Sequence, residues 1–209
     1  MLVLQYIFKN SKTASIIIVY NMGKKDFILL NPQLEKTFTE ICNRIRRLQS
    51  GGTIDSLQRI GATTTGQIGA SYVSLKALAS EYLPDEKLAT LLWKQQKREE
   101  QIVACFLFPP DINKEKITQF AETCNSYEIA GYFGSIFLCH HGELAEIVSD
   151  WSGSGKPFLQ VAALSGAARH LLVSKNKSQI SEERFKQLVN RSYSDKYVEL
   201  VAQRYRFNI

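Results

Sequence analysis

Several groups of cations are the residues in this chain whose types and spacing suit phosphate chemistry. Arg44, Arg46 and Arg47 lie close together early in the chain. Lys94, Lys97 and Arg98 surround a junction between apolar stripes, Arg169, Lys175 and Lys177 follow the longest apolar stretch, and Arg191, Arg204 and Arg206 form a basic C-terminal group. Lys156 precedes a proline that can open a helix. Such side chains neutralise phosphate oxygens and release condensed counterions, the sequence-independent part of nucleic-acid binding. Each group also has a plainer reading. The Arg44 run suits a solvated helix face, and Arg98-Glu99-Glu100 suits internal ion pairing. The charge is uneven along the chain. Residues 1–50 carry eight Lys/Arg against three Asp/Glu, residues 51–140 eight against ten, and residues 141–209 ten against seven, for a net charge of +6.

Metal and thiol chemistry find no support. Cys42, Cys105, Cys124 and Cys139 show no metal-ligand or redox spacing, and His140, His141 and His170 form no metal motif. All four thiols are expected to be buried and free, in a reducing compartment. Two apolar runs, 2–8 and 16–20, flank Lys9-Asn10-Ser11-Lys12. Neither reaches the roughly 18 residues of a membrane span, and charge between the runs fits a secretory signal poorly. Residues 1–21 are therefore expected to be an extension upstream of a start at Met22, and residues 22–209 a single domain. No membrane partner is expected, and the protein is placed in the cytoplasm.

The elements that must position these residues read as helices. Asn31-Pro32 opens a helix running to about Gln49, stopped by Ser50-Gly51-Gly52. Residues 50–67 read as a loop with one helical turn over 54–59. Leu75, Leu78, Ala79 and Tyr82 form one helical stripe. Pro84 precedes a helix carrying Leu88, Leu91 and Leu92, and residues 97–108 form another, ended by Pro109-Pro110. Stripes recur at Ile117–Cys124, Ile129–Phe137 and Leu144–Trp151, and residues 157–173, 181–190 and 194–206 supply three more. No segment alternates with period two over a useful length. Ile16 to Tyr20 is β-prone but lacks a clear partner, so no sheet is expected. Helix pairs recur about every 30 residues between 84 and 172, the spacing of a helical repeat. The expected fold is all-α, an α-solenoid of antiparallel helix pairs.

Leu88-Ala89-Thr90-Leu91-Leu92-Trp93, followed by Arg98-Glu99-Glu100-Gln101-Ile102-Val103-Ala104, resembles the HEAT-like DNA alkylation repair family. A leucine-rich helix ending in Leu-Trp precedes, in that family, a helix bearing Glu, then Arg, then Ala. Glu99 and Ala104 keep their places, and Gln101 stands where an Arg is usual. Ile68-Gly69-Ala70-Ser71-Tyr72 is similar to the segment before an early family helix. Trp151-Ser152 and Phe158-Leu159-Gln160-Val161-Ala162-Ala163-Leu164 are similar to its Trp-x-x-Ser and Trp-Leu-Arg-Arg-Ala-Ala patterns. The resemblance covers about residues 31–173.

It implies a superhelix of HEAT-like pairs and an alkylpurine DNA glycosylase working without metal or cofactor. The protein would be a nucleoid-associated monomer holding alkylated double-stranded DNA on a basic concave face. An N3- or N7-alkylated purine is already cationic, so its glycosidic bond is weak. Aromatic faces can hold such a cation, and a carboxylate can stabilise the oxocarbenium-like sugar. The family places a Trp and an Asp four residues apart on one helix face. The matching positions are Tyr127, which keeps an aromatic ring, and Gly131, which supplies no charge. Phe158 replaces an expected Trp, and Gln160 adjoins Val161, where an Arg is expected. Tyr197 or Tyr205 stands near the place of a late Trp. Glu128, Glu122 and Glu143 are the candidate substitute acids, Glu128 pointing about 100° away from Tyr127. The resemblance thus assigns Tyr127, the degenerate Gly131 and Phe158 to catalysis. It assigns Lys97, Arg98, Lys156, Gln160, Arg169, Arg191, Arg204 and Arg206 to DNA. The rival reading is a non-enzymatic solenoid binding DNA structures or a protein partner.

Overall fold

Asn31 and Pro32 open the first helix as their residue types dictate. Proline at the first helical position loses no needed hydrogen bond, and the Asn31 side chain accepts the Leu34 N–H at 2.7 Å. The resulting α1 (Pro32–Arg47) buries Leu34, Phe38, Ile41 and Ile45. In this computed structural model residues 5–6, 15–21, 24–50, 52, 54–55, 68–174 and 177–207 are described. The helical turn expected over 54–59 falls mostly outside them. Two compact units divide the chain, residues 1–74 and 75–209.

The first unit corrects the expectation that no sheet would form. Strands β1 (Gln5–Tyr6), β2 (Ser15–Asn21) and β3 (Lys24–Leu30) pair antiparallel in that order. The register runs from Ser15 opposite Leu30 to Asn21 opposite Lys24. The β-branched run Ile16-Ile17-Ile18-Val19 favours extended backbone, and Lys24–Leu30 supplies the ladder partner that the sequence reading lacked. The boundary expected between residues 21 and 22 falls in the connection between these two strands.

The described regular elements of the second unit are all helical. Across its boundary runs α2 (Tyr72–Ala79), followed by α3 (Glu86–Trp93), α4 (Arg98–Leu107), α5 (Lys114–Glu122) and α6 (Tyr127–Tyr132). A π turn over Phe133–Phe137 and a 3₁₀ turn over Leu138–His140 prolong α6. Then come α7 (Leu144–Ser152), α8 (Pro157–Ser174), α9 (Glu182–Val189) and α10 (Lys196–Arg206). Side-chain acceptors cap several starts: Asp85 for α3, Asn113 for α5, Ser126 for α6, Ser181 for α9 and Asp195 for α10. No described helix is long and apolar enough to cross a membrane.

Contacts in this unit recur at the period seen in the sequence. Trp93 Nε1 donates to Thr123 Oγ1, Arg98 pairs with Glu128, and Lys116 pairs with Glu86, each across 30 residues. Alternate helices are therefore in contact, α3 with α5 and α4 with α6. Lys116–Glu86 joins α5 to α3, Lys114 joins α5 to Glu146 and Asp150 of α7, and Arg184 joins α9 to Ser149 of α7. At the centre lies α8, buried without interruption from Leu159 to Ala167. Its approach to the π turn is close. A Cβ on Gly134 would overlap the Ala162 carbonyl oxygen and lie 2.9 Å from the Gly166 nitrogen. Trp93 (with Phe108, Phe120 and Phe133 around it) and Trp151 fill the core.

Cys105, Cys124 and Cys139 are buried free thiols, whereas Cys42 is only half-buried because it lies off the apolar stripe of α1. His141 Nε2 lies 2.7 Å from the Ile112 carbonyl, and His170 Nδ1 lies 2.6 Å from the Cys139 carbonyl. Both rings thus tie loops and helix ends together.

Candidate functional site

The starts of α4, α6, α8 and α10 adjoin one another. Arg98 at the head of α4 donates to both carboxylate oxygens of Glu128 at the head of α6, at 2.7 and 2.8 Å. Tyr127, one residue earlier on α6, turns the other way. Its ring meets Phe158 of α8 edge-on at 5.2 Å and stacks on Tyr197 of α10 at 4.3 Å and 17°. Its hydroxyl donates to Asp195 Oδ2 at 2.8 Å. Successive helical residues diverge by about 100°, so neighbouring positions at one helix head serve two different neighbours.

Tyr127 and Phe158, singled out by resemblance, are therefore brought together. Tyr197 completes the cluster and is 43% exposed. Two rings stacked at 4.3 Å leave no room for a base between them, so a ligand can meet only their outer faces and edges. Gly131 lies one turn beyond Tyr127, on the same face of α6. A Cβ there would meet only the Ser165 Oγ, at 3.8 Å. Tyr205 donates its hydroxyl to that same Ser165 at 3.4 Å. The glycine thus leaves a place that a side chain can enter.

Asp195 adds a charge to this cluster that the resemblance does not assign to it. The signal available was Ser194-Asp195 just before a helical stripe, the pattern of an N-cap. Its Oδ1 accepts the backbone N–H groups of Tyr197 and Val198 at 2.9 and 3.0 Å, while Oδ2 accepts the Tyr127 hydroxyl. Desolvation pushes the carboxyl pKa up, but the Val198 N–H, the Tyr127 hydroxyl and the Tyr197 N–H outweigh it and hold the group below its ordinary value. The Tyr127 phenol moves the opposite way, raised by desolvation and by its bond to the Asp195 charge. At neutral pH the site is a fixed anion bordered by aromatic rings.

The three candidate substitute acids are engaged elsewhere or stand apart. Glu128 is held by Arg98, and Glu122 pairs with Lys156 at 2.6 Å. Glu143 precedes α7 in the 140–144 loop, beside Pro110 to Glu115.

The phosphate-binding candidates separate in the same way. Arg98 is corrected: it is 5% exposed and locked to Glu128, so it stabilises the junction and offers no surface to a phosphate. Gln160 is corrected for the same reason. It is 8% exposed, and its amide donates to the Ser152 carbonyl at the end of α7. Arg206 is half-buried and donates to the Val189 and Arg191 carbonyls while pairing with Glu199. Its guanidinium closes the end of α9. Exposed positions remain for Lys97, Lys156, Arg169, Arg191 and Arg204. Lys97 stands at the head of α4, Lys156 just before α8, and the exposed Lys196 at the head of α10. Lys97 lies 3.9 Å from Glu100, and Arg191 donates to Ser152 Oγ. Gln101, where an Arg was expected, is fully buried and donates to the Trp93 and Thr123 carbonyls, joining the ends of α3 and α5.

A family model described as DNA alkylation repair enzyme matches residues 41–198. No curated protein and no solved structure matches the chain.

Proposed function

Because the chain belongs to the DNA alkylation repair enzyme family, we propose that it excises cationic N3- or N7-alkylated purines from double-stranded DNA as a monomer. The observation that carries this reading is the Tyr127–Phe158–Tyr197 cluster, which gathers three rings at a partly exposed helix edge, with the Asp195 carboxylate bonded to the Tyr127 hydroxyl. A cationic base or sugar gains about 0.5–2 kcal/mol at each such face, more where water is excluded. The lesion's own charge weakens its glycosidic bond, so no metal or cofactor is required for the bond to break. Contacts repeating across 30 residues support a HEAT-like superhelix of stacked pairs. Lys97 and Lys156 stand at the starts of α4 and α8, beside backbone N–H groups suited to phosphate oxygens, and Lys196 adds a cation at the start of α10.

Release of 7-methylguanine or 3-methyladenine from methylated duplex DNA tests the reading. Turnover by the wild type, abolished in Tyr127→Ala, is the expected result. DNA affinity should fall steeply between low and moderate salt, and salt-independent binding would count against a phosphate-gripping surface. Gly131 favours a second reading, a non-enzymatic binder of DNA structures or of a protein, because it supplies no charge where the resemblance expects a carboxylate. Salt-sensitive DNA binding with no base released at any protein concentration would select it.

A further inference from the structure

Gly131 supplies no charge where the resemblance expects a carboxylate, and an acid on another helix reaches the neighbouring Tyr127. Resting on the excision reading above, we infer that Asp195 is the catalytic carboxylate of this protein, stabilising the cationic sugar as the alkylated purine departs. A carboxylate on residue 131 would approach Tyr127 from one turn further along α6. Asp195 reaches the same tyrosine from the start of α10, at 2.8 Å from its hydroxyl, with Tyr197 stacked on the tyrosine's face and Phe158 in a T-shaped contact with it. The surrounding acids are not equivalent. Glu128 is spent on Arg98, and Glu122 on Lys156. Among the described residues Asp195 bonds to uncharged donors alone, so its negative charge is solvated there but not neutralised by a paired cation. A carboxylate can accept about four hydrogen bonds, and three are made here, which leaves one direction for a substrate.

The chemistry balances without a further reagent than water. The bond from sugar C1′ to the purine nitrogen breaks, and its electron pair leaves with the base, which departs neutral. C1′ becomes an oxocarbenium centre, whose positive charge the Asp195 carboxylate offsets. Water then forms the C1′–O bond and gives up one proton to solvent. The three donors that fix Asp195 also make it a weak base. Its role is therefore electrostatic stabilisation more than proton removal.

Asp195→Asn is the discriminating variant, because asparagine caps helices about as well as aspartate while carrying no charge. Base release from methylated duplex DNA would be measured for the wild type, Asp195→Asn, Asp195→Ser and the double variant Asp195→Asn with Gly131→Asp. Serine is also a good cap, so it guards against a fault peculiar to asparagine. The expected result is a kcat lower by about 10²–10³ in both single variants with DNA affinity retained, and partial recovery in the double variant. Recovery through residue 131 cannot arise from a merely structural role of Asp195. A wild type that turns over, with both folded single variants equally fast, would overturn the assignment and leave the excision reading standing. A wild type that releases no base would overturn both.

Discussion

Tyr127 and Glu128 are consecutive residues at the head of α6, and they serve two junctions of opposite character. Glu128 looks toward α4, where Arg98 lies almost fully buried and holds it with two hydrogen bonds. Desolvation alone would lower the Arg98 pKa, but Glu128 more than compensates and the guanidinium is raised. Tyr127 looks toward α8 and α10, where a carboxylate, an exposed tyrosine and a vacant glycine face meet. The first junction uses its charges against each other, and nothing is left for a ligand. The second keeps one anion without a cationic partner among its bonded groups, against rings that can receive positive charge. A count of acids and bases along the chain does not distinguish the two, since each holds a carboxylate two or fewer residues from a tyrosine.

That contrast can be broken at several points. Arg98→Leu removes a cation paired with the buried Glu99 and releases Glu128. Removing one partner of a buried charge pair costs about 3–5 kcal/mol, so the thermal midpoint should drop sharply, and an unchanged midpoint would show that the α4 junction is not a structural lock. Gly134→Ala pushes a methyl into the Ala162 carbonyl across the π turn. Overpacking of this kind costs about 1–3 kcal/mol, and a neutral result in denaturant unfolding would mean that α6 and α8 can separate without loss.

Tyr127→Phe keeps the ring and removes the hydroxyl from Asp195. Its expected cost at neutral pH is about 1 kcal/mol, and the effect has a pH signature. The Asp195 pKa is lower folded than unfolded, so its contribution is fully present above the ordinary carboxylate value of about 3.9 and is lost as pH falls through the folded value. The stability difference between wild type and Tyr127→Phe should therefore shrink on acidification, and a difference that stays constant from neutral pH to pH of about 2 would refute the charge-assisted bond. Lys156→Gln is the mildest change. Its exposed pair with Glu122 contributes at most about 1 kcal/mol to stability, whereas loss of a phosphate contact should lower the salt slope of DNA binding by about one. An altered fold with an unaltered slope would reverse that assignment.

The helices from α1 onward were legible because apolar residues at i, i+3 and i+4 and capping residues such as Asn31 act locally. The repeat period was legible too, since it reflects how far apart equivalent stripes lie. Tyr127 and Phe158 were singled out by resemblance to a family pattern, and their rings meet. Asp195 was not, because a residue 68 positions from Tyr127 belongs to the same site only if α10 lies beside α6. The β2–β3 pairing is not legible in either strand alone, because each finds its partner only across the connection.

By itself, then, the sequence determined the number and placement of most helices, the 30-residue recurrence, and the aromatic residue at the position of interest. The tertiary structure alone decided which charges are consumed and which are presented. Arg98 and Gln160 carry the groups of a phosphate binder yet are turned inward, and Asp195 carries the group of a helix cap yet sits among rings. Periodicity is a property of neighbouring residues, whereas desolvation and pairing depend on which distant segments pack together, so the first can be read along the chain and the second cannot.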